Sequence, residues 1–332
     1  MDRLYQNVFS SLDQLRTHGR LSDKISTYVA RSKSDKIVAI FLFQRDGATV
    51  RVINEGMEIG SVAVTRFART IFDAYSAVSV IAFHAVRTAI GGIPFPHQRF
   101  NCSEDFVLTL PGTAAEYLAG LGASTRSYIK RYLNRARRVF SSFLYQVVEK
   151  EEVSEQLVHD IVHMNKARMQ GKGKVPGIDN DETGRLFRLA QLRGLTGVVM
   201  IDGRPCAGVI TYRSGMNYFM EVVAHDPAYD DYRLGTLCCY LTICECIARG
   251  GKEFHFLWGR NDYKSRLGGV RRDLDDLVVY RSPAQWRRNC RLVLRTSFHG
   301  RLRQAKLWLG KNDPHHRPVL EAIVRKVRAL KR

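Results

Sequence analysis

The segment Val222-Val223-Ala224-His225-Asp226-Pro227-Ala228-Tyr229-Asp230-Asp231-Tyr232-Arg233-Leu234-Gly235-Thr236 has the makings of an anion seat. Its apolar start predicts the end of a strand, Asp226-Pro227 must turn, and a helix is predicted to open at Leu234-Gly235-Thr236. First-turn N–H groups of a helix lack intrahelical acceptors and lie at the positive end of its dipole. A phosphate or pyrophosphate placed there accepts several of them at once. Gly235 permits close backbone approach and Arg233 adds a positive charge. An ordinary strand–loop–helix connection has the same spacing, so the segment alone leaves both readings open.

Other reactive residues form weaker patterns. His159 and His163 are four apart on one predicted helix, a spacing that suits zinc, but the glutamate beside the first histidine and a third ligand are missing. The run Gly171-Lys172-Gly173-Lys174 lacks the Gly-Lys-Ser/Thr ending of a phosphate loop and reads as a basic lid. His315-His316 fall in a polar break and read as loop. Seven cysteines in no scaffold spacing, four of them between Cys238 and Cys246, read as buried free thiols in a reducing compartment. With no Gly-x-Ser-x-Gly elbow and no Cys-His pairing, a serine or cysteine hydrolase is not expected, and no metal is expected either.

The elements that must position the anion seat are legible. Ile37–Phe43 and Thr49–Ile53 flank Asp46-Gly47 as a hairpin, followed by a helix over Val62–Tyr75 and a strand over Val78–Phe83. Gly91-Gly92-Ile93-Pro94-Phe95-Pro96 must be loop, and Phe106–Leu110 a short strand. Helices are predicted at Thr113–Leu121, where Thr113 and Glu116 form a capping box, at Ser124–Phe140, Val153–Met169 and Asp181–Arg193, with a strand at Phe143–Val148. Val198–Ile201, Cys206–Tyr212 and Tyr218–Ala224 are joined by Asp202-Gly203 and Ser214-Gly215 into a meander. A helix over Gly235–Arg249 stops at Gly250-Gly251; a strand over Glu253–Leu257, a helical turn over Asp262–Leu267 and a strand over Leu277–Tyr280 complete a mixed sheet with packed helices.

The 332 residues exceed one small domain, and 45% hydrophobic content is enough for real cores. No uninterrupted apolar run reaches the ~18 residues a membrane span needs, and the first residues lack the pattern of a secretory signal. The expected location is cytoplasmic, with peripheral contact at the inner membrane face. The net charge of +20 is concentrated in the stretch from Arg281 to Arg332, where fifteen Lys and Arg face Asp313 and Glu321 alone. A second basic cluster runs from Arg126 through Lys130, Arg131, Arg135 and Arg137 to Arg138. Such fields attract phosphate-rich partners, whether nucleic acid, anionic membrane or phosphorylated cofactors. In the tail, Val319, Leu320, Ile323, Val324, Val327 and Leu330 recur at helical spacing among basic residues; this fits a membrane surface or a helix packed on the body of the protein.

Residues 197–268 resemble the acetyltransferase core of the GNAT superfamily, and most of all its FemAB-related branch with CelD- or BcsL-like members. The resemblance rests on Asp226, Tyr229, Gly235, Ala248-Arg249-Gly250 and Gly259-Arg260-Asn261-Asp262-Tyr263-Lys264, with Ser124-x-Arg126 and Arg135-Ala136-x-Arg138 upstream, and spans roughly 105–282. The usual (Gln/Arg)-x-x-Gly-x-(Gly/Ala) signature is reduced here to one glycine with Arg233 two positions before it.

The resemblance implies an α/β (α+β) fold of two GNAT-like units in tandem: a helical lead-in over 1–34, a degenerate unit over 35–110, the acyltransferase core over 111–282 and a basic amphipathic helical tail over 283–332. It implies an acyl-CoA donor, most simply acetyl-CoA, held at Arg233, Leu234, Gly235, Thr236 and Lys264, and an amine acceptor. The FemAB branch proper uses aminoacyl-tRNA, so that donor stays open, as does a non-enzymatic nucleic-acid- or membrane-binding protein on an inactive fold. Acyl transfer to an amine needs a base, donors for the oxyanion and an acid for the leaving group. Tyr263 matches the family's acid; Glu221, Asp226 and His225 are candidate bases; Arg126, Arg135, Arg168 and Tyr229 are candidate contacts to an acceptor that is lipid-linked, saccharide-linked or phosphorylated. Envelope or exopolysaccharide assembly is the setting the resemblance implies.

Overall fold

The computed structural model describes residues 1–171, 173, 175–259 and 261–312, with 299 and 305–312 by backbone alone. Lys172, Lys174, Arg260, His315, His316 and the apolar series from Val319 to Leu330 therefore lie outside the described residues, as do the side chains of the tail from Ala305 on.

The chain begins with α1 (Asp2–Tyr5), a 3₁₀ turn and α2 (Leu12–Thr17), then β1 (Ile25–Arg31), β2 (Ile37–Asp46), β3 (Thr49–Val52), β4 (Glu58–Ile59), α3 (Ser61–Ala74) and β5 (Val80–Thr88). It continues through β6 (His97–Thr109), α4 (Ala114–Gly120), α5 (Ala123–Val139), β7 (Leu144–Glu149), α6 (Glu155–Gly171) and α7 (Asn180–Arg193). The meander β8 (Gly194–Ile201), β9 (Arg204–Ser214) and β10 (Asn217–His225) leads to α8 (Leu234–Ala248), β11 (Glu253–His255), α9 (Asp262–Arg266) and β12 (Val270–Tyr280). Helices α10 (Pro283–Arg288) and α11 (Cys290–Asn312) follow.

Two compact units share these elements, one built from 1–25 and 104–272, the other from 26–103 and the stretch from 273 on. This differs from the contiguous 35–110 and 111–282 expected. In the first unit Arg193 reaches Asp2 at 2.5 Å and Asp13 at 2.6 Å, so the first two helices fold with it. The lead-in is helical only to Thr17; Ile25–Arg31 is a strand, with just Ala30 buried.

In the first unit, β7, β8, β9 and β10 are antiparallel neighbours, β10 runs parallel to β11, and β11 pairs antiparallel with the end of β6. Helices cover both faces. On one, α8 brings Leu234, Leu237, Cys238, Cys239, Ile243 and Cys246 against Tyr218 and Met220. On the other, Val158, Ile161 and Val162 of α6 and Leu186 and Leu189 of α7 meet Phe219, Val222 and Ala224. Sandwiched between the sheet and α4 and α5, α8 is apolar around most of its circumference, which is why it reads as a continuous hydrophobic run. The expected capping box at α4 is present, Thr113 Oγ1 accepting from Glu116 N at 3.1 Å.

The second unit repeats the succession strand, strand, helix, strand. β2 and β3 form the predicted hairpin, α3 crosses over, and β5 returns parallel to β3, as β11 returns parallel to β10. Val64, Phe67, Ala68, Ile71 and Phe72 make the buried stripe of α3, and Phe67 meets Phe41 and Phe83 edge-on. Leu292 and Val293 of α11 pack on Val80, Val278 and Tyr280, although Leu294 stays 68% exposed. The molecule thus has mixed, mainly antiparallel sheets with flanking helices. Among the described residues no helix is long and apolar enough to cross a membrane.

Candidate active site

The pairing of β10 with β11 covers only Asn217–Phe219 against Glu253–His255. Past it the two parallel strands part, and a crevice at the carboxyl end of parallel strands is where α/β sheets bind ligands. A cavity of ≈ 360 Å³ opens here, walled by Val223 and His225 of β10, Ala167 and Arg168 of α6, Tyr128 of α5, Asp230 and Arg233 of the loop, Gly235 and Thr236 of α8 and Tyr263 of α9.

A bulge aims the strand at it. The register of β10 on β9 slips between Met220 and Val222, so Glu221 is the extra residue. Before the slip Tyr218 and Met220 face α8; after it Val222 and Ala224 face α6 and α7, and Val223 and His225 turn to the cavity side.

His225 Nε2 lies 2.6 Å from Asp230 Oδ1. That carboxylate fixes the tautomer with its proton on Nε2, so Nδ1 carries a lone pair. Nδ1 is buried and has no partner among the described residues, and neither has Arg168 Nε. Buried nitrogens without protein partners are rare in folded proteins; two in the wall of one cavity are polar groups open to a ligand or to water. Burial pulls the Arg168 guanidinium below its ordinary range, with Tyr263 and Asp230 opposing. Burial also pushes the Tyr263 hydroxyl well up, beside Cys239, while Arg168 pulls it back; the phenol keeps its proton at neutral pH.

Helix α8 opens without a side-chain cap, behind Arg233 in the left-handed conformation at φ 55°. Thr236 N returns to Arg233 O, leaving the uncapped end of the dipole at the cavity wall. Tyr128 hydrogen-bonds the Thr236 side chain, tying α5 to this corner.

Of the residues expected from sequence, Arg168, His225, Arg233, Gly235, Thr236 and Tyr263 come together here. Leu234 is fully buried beneath, in the core. The others have different work. Lys264 was expected to hold phosphate, but its ammonium is buried and donates to Leu257 O at 3.0 Å and Trp258 O at 2.6 Å; burial brings it down to about 8. Asp226 caps the turn Pro227–Tyr232 by accepting from Ala228 N at 2.9 Å. Tyr229 packs edge-on to Phe140 and meets Cys206, whose thiol pushes the phenol up to about 12. Arg126 is taken up by Ala119 O and Leu121 O at 2.6 and 2.8 Å. Arg135 donates to Asp231 O and lies over the Tyr232 ring at 4.8 Å. Tyr128 and Asp230 were not foreseen. A tyrosine in an arginine-rich helix has no pattern of its own, and Asp230 is singled out only by its distance to His225.

Glu221, a candidate base, is not in the cavity wall; it is partly buried on the side of Glu182 and Tyr212. Burial, with repulsion from Glu182, pushes its carboxyl up to about 7. A carboxyl whose folded value exceeds its unfolded one holds its proton better in the fold. Its stabilising effect is therefore full below about pH 4.5 and is lost as pH rises through about 7, a change of ~3 kcal/mol. Glu221→Gln is expected to remove that decline. Urea unfolding at pH 5 and pH 8 measures it; equal declines in both proteins would refute the assignment.

A family model described as an acetyltransferase (GNAT) domain matches residues 123–265, from α5 to α9 and through every wall of the cavity. No curated protein matches the chain in sequence. Among solved structures the chain is similar to one described as FemX, with TM-score 0.63 and 10% identity, over 85% of this chain and 94% of that one. It is also similar to a conserved protein of unknown function from Bacteroides thetaiotaomicron VPI-5482, with TM-score 0.53 and 12% identity, over 83% and 92%. At these identities the likeness is one of fold. Residues 123–265 match the acetyltransferase (GNAT) domain model, and the chain is a GNAT-like acyltransferase.

Proposed function

We propose that this protein transfers an acyl group from acyl-CoA, most simply acetyl-CoA, to the amine of an acceptor. The observation that carries the reading is the pair of unpartnered buried nitrogens, Arg168 Nε and His225 Nδ1, in a cavity that also meets the uncapped start of α8. The donor's phosphates sit at Arg233, Gly235 and Thr236. His225, oriented by Asp230, takes a proton from the attacking amine, whose nitrogen forms the new bond to the acyl carbon. Arg168 binds an anionic or carbonyl oxygen of the substrates, and Tyr263 gives its proton to the departing group. Within the GNAT enzymes the Gly259-x-x-x-Tyr263-Lys264 element points to the FemAB-related, CelD- or BcsL-like branch. The basic surface suits an acceptor that is saccharide-linked, lipid-linked or phosphorylated, as envelope or exopolysaccharide assembly at the inner membrane face provides.

A second reading exchanges acyl-CoA for aminoacyl-tRNA. It is favoured by the outer face of α5, where Lys130, Arg131, Arg135, Arg137 and Arg138 are all exposed on the helix that carries Tyr128 to the cavity. Phosphate-binding arginines and lysines give steep salt dependence.

Thermal shift and native mass spectrometry with coenzyme A, acetyl-CoA and charged tRNA separate the two. Stabilisation by a coenzyme A compound supports the first reading; stabilisation by charged tRNA alone replaces it with the second. No response to any of them overturns both. Tyr263→Phe adds a kinetic check. A thiolate leaves as a weak base and needs little help, so turnover falls about tenfold; an alkoxide from an ester needs the acid and turnover falls about a hundredfold.

A further inference from the structure

Three side chains of the second unit, unused by acyl transfer, converge on one point. His84 lies in β5, Cys102 in β6 and Asp276 in β12, and one ligand-type atom from each lies within 4.8 Å of the other two. His84 Nδ1 and Asp276 Oδ1 are 2.6 Å apart. The Cys102 thiol meets the same carboxylate and lies 3.4 Å from Leu274 O.

The backbone is bent to bring them together. The pairing of β5 with β12 slips between Asp275 and Leu277: Asp276 alone stands opposite His84 and Ala85, so the extra residue lies in β5. Across from it Ala85 adopts φ 49° and donates its N–H to Asp276 Oδ1 at 3.1 Å. A bulge re-aims a side chain, and a left-handed alanine is costly, so this arrangement is held against its local preference.

We propose that His84, Cys102 and Asp276 form a binding site for a divalent transition-metal ion of the zinc type. Imidazole, thiolate and carboxylate together are a zinc donor set and a poor one for calcium or magnesium, which take oxygen ligands. Three protein ligands leave the fourth tetrahedral position to water. The His84 side chain is 60% exposed and that of Asp276 24%, so an ion has a way in. Binding displaces the thiol proton to solvent, shifts the His84 proton from Nδ1 to Nε2 so that Nδ1 offers its lone pair, and inserts the ion into the His84–Asp276 contact. That contact must open from 2.6 Å to the ~3.3 Å separating two ligands of one tetrahedral zinc. The Ala85 N–H stays on the carboxylate as outer support. In the free protein, burial and the neighbouring Asp276 push the thiol well above its ordinary range. A dication turns that repulsion into attraction.

The test is a Co²⁺ titration of the full chain after chelator treatment, followed by absorbance. One equivalent is expected to give visible bands of a four-coordinate ion and a near-ultraviolet thiolate-to-cobalt band, and Zn²⁺ to abolish both. Cys102→Ser removes the thiolate band, whereas Cys290→Ser, which alters an exposed thiol, leaves it. His84→Ala and Asp276→Asn weaken Co²⁺ binding by roughly a hundredfold. Because Asp276 also supports the bulge, circular dichroism melts accompany each variant, and the near-isosteric Cys102→Ser decides. Absence of a thiolate band in the unaltered protein, or its survival in Cys102→Ser, overturns the site and leaves the trio as a hydrogen-bonded brace.

Discussion

Gly235→Val is expected to lower kcat/KM about a hundredfold while leaving the protein folded, because a misplacement of about 1 Å at a reacting group costs that much. A Cβ on Gly235 would lie 2.7 Å from His225 Nδ1, closer than such atoms approach. The ring must swing, and in doing so it gives up its 2.6 Å contact with Asp230. Valine adds two methyl groups where the donor's phosphates are to sit. Stability changes little, since any side chain is favoured over glycine within a helix by some tenths of a kcal/mol, which offsets part of the crowding. Gly235→Ala should fall between the two proteins. Steady-state kinetics with the donor found in the binding screen, alongside melting curves, measures both. Activity within threefold of the unaltered protein would show that α8 does not approach the donor at this point.

His225→Gln is expected to have the larger effect: turnover falls by roughly two to four orders of magnitude, the usual range for removing a general base. Glutamine can still reach Asp230, so the loop keeps its anchor and the melting temperature should hold. Asp230→Asn leaves the ring in place but no longer holds the proton on Nε2, and a smaller loss follows. If His225→Gln retains full turnover while Glu221→Gln loses it, the base is the carboxylate at the bulge and the cavity has been read from the wrong wall.

The fold was legible in the sequence wherever burial imposes a period. The meander Gly194–His225, the crossover helix Leu234–Ala248 and the stripe of α3 follow from alternation, turn dipeptides and 3.6-residue spacing. Strands that are largely exposed were the ones misread. Ile25–Arg31 buries one residue, and β6 begins at His97, well before the apolar Phe106, because its first half carries no hydrophobic alternation. The bulge at Glu221 was invisible for a different reason. An inserted residue changes the phase of a pattern without changing its composition, so Glu221, His225 and Asp226 looked equivalent as bases when only His225 faces the cavity. Gly235, Arg233 and Tyr263 were found from local motifs. Tyr128 and Asp230 enter through tertiary packing, and Lys264, expected at the donor, is taken up by the backbone carbonyls of Leu257 and Trp258.

The way the chain is shared between its units has a consequence for how such a protein can change. Residues 1–25 belong to the first unit, the chain then leaves it and returns only at 104, and the second unit is resumed from 273. No single cut separates a whole unit from the other, and a fragment confined to 123–265 would lose Asp2 and Asp13, the partners of Arg193. Exchange of the catalytic unit between relatives by one recombination point would leave it without its opening helices. Its substrate range is therefore free to drift by point substitution around the cavity, but not to be replaced wholesale as a cassette.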